Sequence, residues 1–391
     1  MVTVEPSLAW LLQPLTVQTF LDEVWGVKHC HVGRSRIGYF DCLLPGPSAV
    51  DELLERVRPQ PSAVRLVRGG ETEAGDAYRH PGGGLDLARV RGAFADGHTI
   101  VLNGVEQYVR AIASLSHSVE VELNFPTRVN AYLTPPESIG FEPHYDPHDV
   151  LVLQVQGSKV WRLSDAPAVP PHEMQRREGV GAGTPLPVEL RLETGDVLYV
   201  PRGRIHAAET ASEPSVHLTV GIHAPTVLTL ISHALHALSL RDDRVHDRLP
   251  PRHLDDGAVR AGLGDLLRAI VEDPGVLAGG LDAMAEVLVR RGRCPPVGRI
   301  ADSVGIDGQT LVAKYEPLYS RVVADGDGVA LQFAQLSIGF GDDHGAALRF
   351  VAKCTAPFRV CELPGLTAPQ RMELARTLIA SGFLVRLPLP D

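Results

Sequence analysis

The 391-residue sequence predicts an α+β protein in which an antiparallel barrel or jelly roll comes first, a helical segment follows, and a mixed α/β tail closes the chain. Three observations predict this order. From Thr127 to about Pro225, apolar residues recur with period two in short runs, separated by Gly, Pro and Asp turns. After Pro225 the period changes to i, i+3, i+4, the pattern of helices with one apolar face. Beyond residue 300 the two patterns alternate. The expected division is therefore 1–225, 226–300 and 301–391.

The elements are predicted in order. "TVQTFLDEVWGVKHCHV" from Thr16 has helical spacing and a stop at Gly26. "PSAVDELLERVR" from Pro47 reads as a Ser-capped helix with acidic residues in its first turn. "HPGGGLD" from His80 is a loop, "HTIVLNGVEQY" from His98 a strand running into a turn, and "YVRAIASLSHSVEVEL" from Tyr108 an amphipathic helix. The period-two runs are "RVNAYLT", "VLVLQVQ", "KVWRLS", "VELRLETGDVLYVPRG" and "SVHLTVGIHA". Helices follow in "TVLTLISHALHALSL", "GLGDLLRAIVED" and "GLDAMAEVLVRRGR". In the tail, "TAPQRMELARTLIASGFLVRL" is a Thr-capped helix, a Gly stop and a strand.

Composition excludes several classes. No apolar run approaches the ~18 residues of a membrane span, and the N-terminus has no basic region ahead of a long apolar stretch. The five cysteines are scattered and lack CxxC spacing, which suits a reducing cytoplasm and argues against a disulfide frame or structural zinc. A net charge of −10 argues against coating nucleic acid by charge alone.

The chemistry concentrates in "GFEPHYDPHDVLVLQVQGSKVWRLSD", residues 140–165. At the start of a strand, His144 and Asp146 share one face and offer an imidazole beside a carboxylate. "GDVLYVPRGRIHAAET" supplies a third donor, His206, on the extended segment after a Pro-Arg-Gly turn. Two histidines and one carboxylate make a facial triad that leaves positions open on Fe(II). The competing reading of an isolated His-x-Asp is a hydrogen-bonded loop pair. Lys159 weighs against it: a lysine in a strand of apolar alternation is costly inside a barrel unless an anion pairs with it, and a dicarboxylate co-substrate supplies that anion. The alternative for Lys159 is a solvated place in the "QGSK" hairpin. Asn130 and Tyr132 alternate on one strand as polar residues in an apolar run, as groups touching a ligand do.

"VNAYLTPPESIGFEPHYDPHDVLVLQVQGSKVWRL", "GDVLYVPRGRIHAAET" and "SVHLTVGI" together resemble the JmjC-type cupin domains of the ribosomal oxygenases. These are Fe(II)- and 2-oxoglutarate-dependent protein hydroxylases related to JmjC histone demethylases. The resemblance implies a double-stranded β-helix (jelly roll, cupin) as catalytic domain, then a helical dimerisation segment and a C-terminal winged-helix-like domain. It implies His144, Asp146 and His206 as iron ligands, Lys159 as the partner of the distal carboxylate of 2-oxoglutarate, and Asn130 and Tyr132 as lining of the co-substrate pocket. The implied reaction uses dioxygen, releases succinate and carbon dioxide, and hydroxylates a C–H bond of a protein or peptide, a ribosomal protein first.

The chain also departs from that family. Its human members carry a serine two residues after "HLT"; here Gly221 stands there, so one co-substrate contact is missing or passes to water or Thr219. Pro147 breaks the alternation, which makes His148 a neighbour of the ligands or of the substrate rather than a ligand. His217 and His223 read as core or pocket-lining groups. Three other functions compete: a hydroxylase of a peptide or amino acid in natural-product biosynthesis, a non-catalytic cupin scaffold, and a metal-dependent cupin isomerase or sugar binder. The last leaves Lys159 unexplained. The apolar residues Leu228, Leu230, Ile231, Leu235 and Leu238 suggest a homodimer interface; the tail from Thr310 lacks a dense Lys/Arg helix, so no direct nucleic-acid contact is expected, nor any membrane contact.

Overall fold

A computed structural model describes residues 6–46, 48–73, 75–165, 183–292 and 304–388. The expected boundary at 300/301, Cys294 and the Pro47 that precedes one predicted helix lie outside the described residues. The chain divides into two units: Met1–Leu123 with Thr127–Ala224, and Pro225–Asp391 with Asn124–Pro126.

The first unit contains strands β1 (Cys30–Val32), β2 (Val64–Arg68), β3 (Glu71–Thr72), β4 (Thr99–Asn103), β5 (Thr127–Thr134), β6 (Asp149–Gln156), β7 (Lys159–Leu163), β8 (Val188–Leu192), β9 (Val197–Val200), β10 (His206–Glu209) and β11 (Ser215–Ile222). Its helices are α1 (Leu8–Leu12), α2 (Val17–Glu23), α3 (Ser48–Val57), α4 (Leu87–Ala95) and α5 (Arg110–Leu123). Eight strands make one antiparallel sheet in the order β1-β9-β6-β11-β5-β4-β2-β3, and β10-β7-β8 make a second. Val150 and Val152 of β6, Leu198 and Val200 of β9, Trp161 and Leu163 of β7 and Leu192 of β8 form one buried cluster, so the two sheets face each other across it. This is the jelly-roll arrangement that the period-two runs predict.

β6 and β11 read as nearly continuous apolar runs because both of their faces are covered. On the face away from the second sheet, Tyr199 of β9 packs edge-on to Phe20 and stacks on Trp25. α2 starts after Thr16, where the helical spacing begins, and Thr16 caps it: its hydroxyl accepts from the Thr19 amide. α3 differs from expectation, because Ser48 is its first helical residue rather than its cap.

The hairpin between β6 and β7 turns at Gly157, whose φ is +65° and whose Cβ position lies 2.1 Å from the Pro214 carbonyl oxygen. Only glycine fits there. This turn starts β7 at Lys159, and β7 then alternates with Lys159, Trp161 and Leu163 buried. The β10 register on β7 runs from His206 opposite Leu163 to Glu209 opposite Val160.

The second unit has helices α6 (Val227–Ser239), α7 (Gly257–Val271) and α8 (Pro274–Arg291). β12 (Leu311–Lys314), β13 (Ser320–Asp325), β14 (Gly328–Phe333), β15 (Leu336–Gly341), α9 (Gly345–Lys353), β16 (Phe358–Arg359), α10 (Ala368–Ala380) and β17 (Leu384–Arg386) follow. Two three-stranded antiparallel sheets, β16-β12-β17 and β13-β14-β15, share a core with α9 and α10. α6 and α8 approach closely where Gly280 meets Ala234. Leu238, expected on an exposed face, is buried, whereas Leu228, Ile231 and Leu235 are exposed.

Candidate metal and co-substrate site

The structure brings His144, Asp146 and His206 together: one ligand atom from each lies within 4.8 Å of the others. His144 and Asp146 are not on a strand, contrary to the expectation, since β6 begins only at Asp149. Pro143 and Pro147 flank the motif and cannot donate to a ladder, which keeps the segment irregular. Backbone hydrogen bonds hold it instead. His144 and His206 exchange both of theirs, at 3.0 and 2.8 Å, and the Gly203 amide donates to the Asp146 carbonyl at 2.9 Å. Gly203 sits at φ +78°, so the Pro-Arg-Gly turn needs its glycine to deliver that bond.

The tautomers follow from the partners. His144 Nδ1 lies 2.7 Å from the Glu142 carbonyl and His206 Nδ1 lies 3.0 Å from the Arg204 carbonyl. A carbonyl only accepts, so each Nδ1 carries a proton, which leaves Nε2 as the atom that can face a metal. This is how neighbouring groups orient metal-binding histidines. His206 Nε2 points at Asp146, 3.5 Å from Oδ2. Burial, followed by the His144 ring, lowers the His206 pKa to about 4, so its imidazole is neutral at neutral pH.

Beside the triad is a cavity of about 210 Å³, lined among others by Lys159, Tyr132, Thr219, His217, Trp161, Phe141 and Arg65. Lys159 is 4% exposed, which places it inside the barrel and not in the solvated hairpin position. Its ammonium donates to the Thr134 hydroxyl at 2.8 Å, and Thr134 accepts in turn from Thr99 at 3.3 Å. No carboxylate pairs with it among the described residues, and burial lowers its pKa to about 7. Tyr132 stacks on His217 at 4.7 Å between ring centroids, and Trp161 meets the same imidazole edge-on at 5.6 Å. His217 is held well below its usual pKa, first by burial and then by the Lys159 charge.

Residues 107–230 match the family model of the JmjC domain. This segment is a JmjC domain. Over 227 residues the chain is 31% identical to the bifunctional lysine-specific demethylase and histidyl-hydroxylase NO66 of Drosophila mojavensis, covering 55% of this chain and 24% of that protein. The NO66 of Aedes aegypti is 30% identical over 226 residues, covering 56% and 34%. The chain thus spans no more than about a third of the length of these curated relatives. Among solved structures, the Escherichia coli ribosomal oxygenase YcfD matches with a TM-score of 0.60 at 19% identity, over 95% of this chain and 98% of that one. YcfD in complex with cobalt and 2-oxoglutarate matches with a TM-score of 0.58 at 18% identity, over 96% and 99%. At these identities the likeness speaks for the fold, which is cupin-like, with antiparallel sheets and about ten helices.

Within the JmjC domain, the remaining predicted residues divide. Tyr132 and Thr219 line the cavity, and Asn130 does not: its side-chain oxygen accepts from the Gly104 amide at 3.1 Å. Burial, then the Asp146 carboxylate, raises the Tyr132 pKa, while Arg65 and hydrogen bonding with Asn130 and Thr219 oppose the rise. His148 also stays off the cavity. It stacks on His223 at 4.5 Å, and its ring fills the space at Gly221: a Cβ there would lie 2.8 Å from Cδ2 and 2.9 Å from Nε2. The glycine that departs from the family's human members is therefore matched to a histidine. Sequence analysis assigned no role to Arg65. Its only signal is the run "VRLVR", where period two puts Arg65 and Val67 on one face.

Proposed function

We propose that the chain is an Fe(II)- and 2-oxoglutarate-dependent dioxygenase that hydroxylates a side chain of a protein, with a ribosomal protein as the first substrate to test. One observation carries the reading: two imidazoles, each oriented through Nδ1 by a backbone carbonyl, and a carboxylate converge beside a buried ammonium that lacks an anion among the described residues. The donor set suits ferrous iron, because imidazole and carboxylate on three positions leave the others open. His144, Asp146 and His206 would hold the iron, and Lys159 with Thr134 the far carboxylate of 2-oxoglutarate, through a charge-assisted hydrogen bond. Iron, 2-oxoglutarate and dioxygen bound there supply the oxidant, with succinate and carbon dioxide as co-products.

The chain's own residues do the rest. The Glu142 and Arg204 carbonyls fix the two imidazole planes, so the donors need no rearrangement when the metal arrives. Trp161, Val150, Val152 and Val200 make the inner wall and keep bulk water out. Tyr132, stacked on His217 and within the field of Asp146, stays a neutral phenol able to donate to a bound oxygen. The YcfD complex with cobalt and 2-oxoglutarate and the histidyl-hydroxylase description of NO66 support this reading.

The finer readings belong to the same proposal. The exposed Leu228, Ile231 and Leu235 of α6 support residues 226–300 as a homodimerisation segment. The α9, α10 and three-stranded-sheet arrangement supports a winged-helix-like part over 301–391. Ferrous iron and free thiols suit a reducing cytoplasm. The test is anaerobic reconstitution with Fe(II) and 2-oxoglutarate, then addition of air and a ribosomal-protein fraction. Succinate release coupled to a gain of one oxygen in a protein is expected; no succinate release from the wild type would overturn the proposal.

A further inference from the structure

Arg65 is a cation in the cavity that the reaction does not use. It comes from β2 and lines the same cavity as the triad and Lys159. Its Nε is buried and has no hydrogen-bond partner, and no ion pair to it is present among the described residues. Register places it: Arg65 lies opposite Val101, Val101 opposite Tyr132, and Tyr132 opposite His217. Directly opposite residues share a face of an antiparallel sheet, so the guanidinium and the Tyr132–His217 stack belong to one wall. Exposure separates the two cations: Lys159 and His217 are 4% and 3% exposed, whereas Arg65, like Phe141, His144 and Asp146, is half-buried, with its Nε buried.

The charges can be balanced group by group on the reading proposed above, on which this inference rests. A ferrous ion offsets the two carboxylates of 2-oxoglutarate, and Asp146 offsets Lys159. Arg65 alone among the charged residues that line the cavity is left without a counter-charge, on a half-buried part of its wall. A guanidinium there pairs well with a carboxylate and repels another cation, and a like-charge juxtaposition away from water is a strong means of discrimination.

We propose that Arg65 selects the substrate by charge: the side chain it receives carries an acceptor and no positive charge, aspartate or glutamate foremost, and lysine and arginine are excluded. The hydroxylase half of the relatives' description is compatible with this, since a neutral imidazole offers an acceptor; removal of methyl groups from a lysine is not.

The test uses the full chain, loaded anaerobically with Mn(II) and 2-oxoglutarate, and reads affinity rather than turnover. Hexapeptide pools, identical but for a fixed central Asp, Asn, His, Lys or Arg, are titrated calorimetrically. The Asp pool is expected to bind at least about tenfold more tightly than the Lys and Arg pools, a gap of ~1.4 kcal/mol. Arg65→Glu should invert that order and Arg65→Met should erase it, with 2-oxoglutarate still bound by both. Equal binding of all pools, no binding by any, or an order unchanged in both variants overturns the proposal. Loss of 2-oxoglutarate binding in Arg65→Met overturns it too, by assigning the guanidinium to the co-substrate. A wild type that takes up no Mn(II) with 2-oxoglutarate is a different result: the oxygenase reading itself fails.

Discussion

The amide of His144 donates to the carbonyl of His206 at 3.0 Å, and the amide of His206 donates back to the carbonyl of His144 at 2.8 Å. The same two residues are the imidazole donors of the triad, so the backbone that joins two segments about sixty residues apart also sets the distance between the two rings. Position therefore precedes the metal. His206→Ala removes one donor and leaves the bridge in place. We expect an intact fold by circular dichroism and a loss of Mn(II) affinity at least as large as the ~10–100-fold that mere outer-shell partners contribute. Unchanged Mn(II) affinity, read by electron paramagnetic resonance, would remove His206 from the site.

Gly221 and His148 make a second pair whose members need each other. Any side chain at 221 meets the His148 ring below 3 Å. Gly221→Ser, the change toward the family's human members, should destabilise the domain by about 1–3 kcal/mol, the usual cost of overpacking. His148→Ala opens the space, so the double variant should recover most of that loss. Two additive single effects in chemical denaturation would show that the residues do not share the space.

These pairs also show what could be read from the sequence and what could not. The jelly roll was legible because β5, β7 and β8 keep period two, and β6 and β11 remained legible as short β-rich runs between turns although both of their faces are buried. His144, Asp146 and His206 were legible as residue types with open spacing, but their support was misread: prolines at 143 and 147 prevent a strand, and the pair of backbone bonds between His144 and His206, with one from Gly203 to Asp146, replaces it. The side chain of Lys159 had two open directions, because one residue's shift at the Gly157 turn would reverse it. Pro214 packed over that turn settles it, and a contact between residues so far apart in sequence leaves no local pattern. Arg65 escaped for the same reason, since only its pairing through β4 to β5 puts it on the cavity wall.

The exposed stripe Leu228, Ile231, Leu235 recurs at helical spacing on α6, at 64%, 50% and 48% exposure. If it is a dimer interface, Ile231→Asp places a charge in its centre. Sedimentation velocity should then show a monomer where the wild type shows a dimer, with the denaturation profile of the monomer unit retained. A wild type that sediments as a monomer at tens of micromolar would reject the interface.

Lys159 carries a cost that its function explains, and pH separates the two. Its ammonium titrates at about 7 in the folded protein and at 10.5 when unfolded, because burial disfavours the charge. Between those values the unfolded chain binds more protons than the native one, so this group makes stability rise with pH across that window. The penalty is complete below about pH 7 and vanishes above 10.5. Lys159→Met keeps the length and removes the charge. It should stabilise the apo protein by on the order of a few kcal/mol near pH 6, with a smaller gain near pH 9. The same variant should lose 2-oxoglutarate affinity. In the wild type, that affinity should fall about tenfold per pH unit above 7, with proton uptake on binding, because the anion needs the ammonium form. Denaturation at the two pH values and calorimetry in buffers of different ionisation enthalpy measure both effects. A stability gain independent of pH, or co-substrate binding without proton uptake at pH 8, would show that Lys159 does not hold the anion.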